Sequence, residues 1–146
     1  MKRMLLLLFA LLAFTVASAT AQDDRPYGEG PVTIVTSVKV MDGQYDNYMA
    51  YLAKNYRPVM EAQKKAGLVL HWAIYDANPR NESEADLYLT VTYPNMATFD
   101  NSYEKFSPIQ REVTGMNRQQ AASASADRSS MRKILGSEMV REVILR

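Results

Sequence analysis

The chain has 146 residues, 47% of them apolar and 23% charged, with no cysteine. That excludes a disulfide framework, a thiolate metal cluster and a disordered charged tail. The formal net charge is +1, and without Lys2 and Arg3 the remainder holds 15 basic against 16 acidic residues, or −1; neither value recruits nucleic acid or an anionic membrane.

Residues 1–21 open with Lys2 and Arg3, run apolar from Met4 to Phe14 and end in Ala17, Ser18, Ala19, Thr20 and Ala21. This is the three-part pattern of a secretory signal peptide, with cleavage expected after Ala19 or Ala21. The apolar run falls short of the roughly 20 residues that a membrane span needs. The expected destination is the periplasm or the exterior, with no membrane attachment once the leader is gone. Residues 22–30 lack any period and read as a flexible lead-in, leaving 31–146 for one domain.

Pro31 to Val40 alternates β-branched residues at period two and predicts a strand. Asp42-Gly43 then turns the chain into a helix from about Gln44 to Ala66, with Tyr45, Tyr48, Leu52, Tyr56 and Val59 on one stripe and Gly67 closing it. Pro58 lies inside that stripe and predicts a kink or break near Asn55 to Arg57. Leu68 to Tyr75 is the second expected strand, Asp76 to Glu84 a loop, and Ala85 to Tyr93 the strand that pairs back. Asn95 is a candidate N-cap for a short helix from Met96 to about Phe106. Ser107-Pro108-Ile109-Gln110 has the pattern of a capping box with proline at the first helical position. It predicts a new helix running to Ile134 or Leu135, interrupted near Gly115 and ended by Gly136. Within it, the run Ala121 to Ala126 reads as a thin, closely packed helix face. Glu138 to Arg146 completes the set as the last strand.

The order strand, helix, hairpin, helix, strand predicts an α+β fold of ferredoxin-like βαββαβ type, a four-stranded antiparallel sheet with helices on one face. Alternation puts Ile34, Val38, Leu70, Trp72, Ile74, Leu87, Leu89 and Val91 toward the helices. The opposite set includes Thr33, Val35, Ser37, Lys39, Val69, His71, Tyr75, Asp86, Tyr88, Thr90 and Thr92, while the phase of the last strand stays open. Such a face is too apolar for water and too polar for a dry core, so it calls for a partner.

That element order, Asp42-Gly43 leading into the Tyr-rich helix, Arg57-Pro58 within it, Ala66-Gly67 before His71-Trp72, and Asp86 ahead of a strand ending in Tyr93-Pro94 resemble the dimeric α+β barrel superfamily, and within it uncharacterised secreted members. The resemblance covers about Val32 to Leu145. It implies a homodimer joined through the open sheet faces, with a pocket between sheet and helices or inside the barrel. Members include haem-degrading and antibiotic-biosynthesis monooxygenases, haem peroxidases and muconolactone isomerases.

Candidate chemical residues are few. His71 is the only histidine, so one protomer has no multi-histidine metal site; it serves as a candidate base, with Tyr75 and Tyr88 as candidate catalytic partners. Lys39, Asp86, Tyr75 and Tyr88 are the candidate ligand-binding set, and cross-strand packing explains the same residues. No cofactor is expected. Haem is disfavoured, because the resemblance implies an Asn, Trp and His set, whereas His71 and Trp72 must point to opposite faces and the first strand holds no Asn. The favoured reading is a secreted homodimeric small-molecule-binding protein. The rivals are a cofactor-independent monooxygenase or isomerase using His71, and an envelope interaction protein without catalysis.

Overall fold

The computed structural model describes residues 24–146, so the leader at 1–21 lies outside the described residues. Four strands, β1 (Tyr27–Val40), β2 (His71–Asp76), β3 (Leu87–Tyr93) and β4 (Arg132–Leu145), form one antiparallel sheet in the order β2-β3-β1-β4. Helices α1 (Tyr45–Tyr51), α2 (Arg57–Lys65), α3 (Ser102–Thr114) and α4 (Arg118–Asp127) fill the connections. This is the expected ferredoxin-like arrangement.

Several boundaries depart from expectation. The short helix expected from Met96 to about Phe106 is a single 3-10 turn, Met96–Phe99, which Asn95 does not cap through its side chain, and α3 starts only at Ser102. β1 begins at Tyr27, so Tyr27 to Gly30 of the expected flexible lead-in belongs to the sheet. The pairing shifts register between Glu29 and Val32, and this bulge accommodates Pro31, which has no N–H for the ladder. Gly30 is required there, because a Cβ would stand 2.8 Å from the Cβ of Glu142. The segment expected to be helix up to Leu135 is strand from Arg132, opposite Val40. Gly136 ends no helix; it sits opposite Ser37 beside a second register shift. The Ser107–Gln110 pattern starts no helix either, since Pro108 lies inside α3. The capping box forms at Asn117 and Gln120 instead, where each side chain accepts the other's backbone N–H, and it opens α4 after Gly115.

The proline in the first helical region acts as its position predicts. A wide, π-helical turn spans Leu52–Tyr56 between α1 and α2, and the Arg57 N–H donates to Leu52 O, five residues back. Pro58 follows with no N–H to give, so a regular α turn would leave a carbonyl unpaired in any case. Gly67 (φ +75°) ends α2, with Gly67 N–H donating to Lys64 O and Leu68 N–H to Gln63 O.

The core lies between the helices and one sheet face. Val38, Val40, Leu87 and Leu89 pack against Tyr48 and Leu52, and Val91 packs with Met60 and Val69. Leu70, expected in that core, is 48% exposed, and Val69 is buried in its place. The reason is that β2 starts only at His71, so alternation does not extend back to these residues. The register also fixes the phase of β4: Val140 lies opposite Thr33 and Glu138 opposite Val35, on the open side.

Candidate functional site

The open face carries Thr33, Val35, Ser37 and Lys39 from β1, flanked by Thr92, Thr90 and Tyr88 of β3 and Val140, Glu138 and Gly136 of β4. His71, Ala73 and Tyr75 complete it on β2. No described element packs over this face, and Tyr75 and Val140 are 54% and 42% exposed.

The sequence-predicted residues divide into two groups along it. Tyr75 and Tyr88 are direct cross-strand partners. Lys39 and Asp86 are an ion pair at 2.9 Å, and the second Asp86 oxygen accepts the Val40 N–H at 2.7 Å. Both Asp86 oxygens are therefore engaged in holding the β1–β3 end, which leaves this pair less free for a ligand than the sequence implies. His71 lies at the other end of β2, opposite Thr92, whose hydroxyl contacts that of Thr33 at 2.9 Å. Tyr75 is four positions beyond His71, about 13 Å along an extended strand. A substrate lying against the Tyr75–Tyr88 pair is therefore offset from His71 along the strand.

His71 and Trp72 face opposite ways. Trp72 reaches into the helix layer, where its indole N–H donates to Glu61 at 3.1 Å and its ring meets Tyr56 edge-on at 5.9 Å. Among the described residues no cluster of three or more His, Cys, Asp or Glu side chains could hold a metal.

Two hollows accompany these features. A shallow groove of about 390 Å³ lies at the Tyr88 end of the open face, between Ser37, Tyr88 and Glu138 and the loop residues Ser83 and Glu84. Arg80 clamps the Glu84 carboxylate through its guanidinium and backbone N–H, and that hydrogen bonding holds the Glu84 carboxyl below the usual carboxylate range. The second hollow, about 280 Å³, lies wholly within the helix layer, between the π-helical turn and α4. Burial pushes the Tyr56 phenol well above its ordinary value. The sequence places Tyr56 on the apolar stripe of the first helical region and does not single out Asn55 and Arg128, which line the same hollow. The available signals were Pro58 and the small residues at 121–126, read separately.

The chain is thus a ferredoxin-like α+β protein with a bare sheet face, the fold that its element order predicts. No protein-family model matches it, and no curated protein does. Among solved structures it is similar to HapK from Hahella chejuensis, at a TM-score of 0.51 and 12% identity over 76% of this chain and 91% of that one. It is also similar to protein SO0527 from Shewanella oneidensis, at 0.48 and 14% over 81% and 98%. A dimeric ferredoxin-like protein from an uncultured marine organism matches at 0.49 and 8% over 82% and 90%. At these identities the likeness is one of fold. Among the described residues no helix is long and apolar enough to cross a membrane.

Proposed function

We propose that the chain is an exported homodimer, joined through its open sheet faces, that binds a small, partly aromatic molecule. One observation carries the reading: Val35, Tyr75, Tyr88 and Val140 share a sheet face with no covering element among the described residues. Apolar surface of that kind is stabilised by removal from water, at about 25 cal/mol per Å² buried. A second copy supplies the same mixed surface in complementary orientation, as a twofold interface requires. β4 adds to the argument. It is an edge strand of 14 residues, with Met139, Val143, Ile144 and Leu145 all exposed, the kind of edge that proteins cover or pair.

Binding is better supported than base catalysis, because His71 and the tyrosine pair stand at opposite ends of β2. The reading as an export product rests on the leader at 1–21, and a mature N-terminus at Thr20 or Gln22 is its check. For the assembly, native mass spectrometry of the processed protein is expected to show a dimer that Val35→Glu, placed opposite Glu138, converts to monomer. A dimer unaffected by that change would move the interface elsewhere. For the ligand, a screen of small aromatic metabolites is expected to raise the melting temperature with at least one member.

A further inference from the structure

The helix-layer hollow has features that packing alone does not require. It lies where the π-helical turn re-aims Asn55 and Tyr56, and wide turns of this kind frequently mark functional sites. α4 roofs it with Ala121 and Ala124, and no residue of α4 is buried. The run 121–126 is therefore not the closely packed face that its composition predicts: its small side chains leave space beneath them.

The wall chemistry is one-sided. Arg128 is the only charged side chain lining the hollow, and no carboxylate pairs with it among the described residues. Its guanidinium is held in place. It stacks over the Tyr51 ring at 4.8 Å, and one N–H donates to Ala124 O at 2.7 Å, leaving further donors available. The Asn55 amide N–H donates to Tyr51 O at 3.3 Å, which orients that side chain as well and leaves its carbonyl oxygen without a partner among the described residues.

A fixed guanidinium matches a carboxylate through two parallel hydrogen bonds. Tyr56 offers ring surface beside it, while the Tyr51 ring backs the guanidinium. A volume of about 280 Å³ falls just below the usual range of ligand pockets, which starts near about 300 Å³, and exceeds the roughly 150 Å³ that holds benzene, so it admits a ring together with its carboxylate. The geometry points to a binding site for a single-ring aromatic carboxylate between the π-helical turn and α4, with Arg128 as the carboxylate anchor. This deepens the proposed function and rests on its small-molecule reading, while placing the site away from the sheet face.

The test is calorimetric titration of the processed full-length protein with benzoate and 4-hydroxybenzoate, using uncharged benzamide as the comparator. Benzoate is expected to bind more tightly than benzamide by about tenfold or more, the margin of a charge-assisted pair. Arg128→Gln and the cavity-filling Ala124→Leu are each expected to weaken benzoate by a similar factor, and Lys64→Ala, in the exposed last turn of α2, to leave it unchanged. Arg128→Lys, which keeps the charge but loses the fork, should fall between. Melting curves of each variant identify any that fail to fold, and Ala124→Leu, a change on an unburied helix, then carries the test. Benzoate binding that survives both Arg128→Gln and Ala124→Leu overturns the site; if Tyr75→Ala abolishes it, the ligand sits on the open face and the proposed function stands. If neither carboxylate binds at millimolar concentration, the ligand class is overturned, and the aromatic-metabolite screen decides separately whether small-molecule binding survives.

Discussion

The two faces of the sheet are built from similar residues and meet different fates. On the covered face Val32, Val38 and Leu87 are fully buried, and Leu89 and Val91 keep only 9% of their surface. One residue along each strand, Val35, Thr90 and Tyr88 lie half-buried, with Tyr75 and Val140 open to water. Alternation alone distributes β-branched and aromatic residues to both sides, so strand pattern does not tell which side excludes water. The helices decide that. The side they leave bare is the surface on which the proposed self-association rests, so the comparison separates the core from the face where association is to be tested.

The largest effect should come from the covered side. Leu52 is 2% exposed within the main cluster, and Leu52→Ala is expected to cost about 2–5 kcal/mol by urea unfolding. A cost like that of a surface change would erase the distinction between the faces. Val35→Glu should do the reverse, abolishing self-association while costing the dilute protomer only about 1 kcal/mol, from the half-buried position and the facing Glu138.

The tyrosines sharpen the contrast through pH. Burial raises the phenols of Tyr48, Tyr56 and Tyr93 above their ordinary value, whereas in the unfolded chain they ionise near about pH 10. Their folded-state values are raised, so their contribution is complete below about pH 10 and is lost as pH rises above it. Tyr56→Phe is expected to move the alkaline unfolding midpoint upward, and an unchanged midpoint would mean the ring is not sheltered. Gly67→Ala, at φ +75°, should cost about 1 kcal/mol in thermal melts. Lys39→Met should cost less still, below about 1 kcal/mol, because the pair is partly solvated and the Val40 N–H retains Asp86.

Much of the architecture was legible because it depends on local chemistry. β-branched alternation marked β1 and β3, and Pro58 marked the distortion of the first helical region within its own residues. The end of the second helical region was not legible, since Arg132 to Leu135 has no period of its own and becomes strand by pairing with β1. The same limit governs the sites. Alternation put Lys39, His71, Tyr75, Asp86 and Tyr88 on one face, but only the register pairs Tyr88 with Tyr75, away from His71, and joins Lys39 to Asp86. The helix-layer hollow depends on where α4 crosses the π-helical turn, a relation between segments that neither one contains.

Sedimentation equilibrium of the processed protein over a wide concentration range tests the central claim most directly. The molecular mass should rise from that of one protomer to that of two, with Val35→Glu fixed at one. A compact monomer at every concentration, with Tyr75 and Val140 in water, would contradict it.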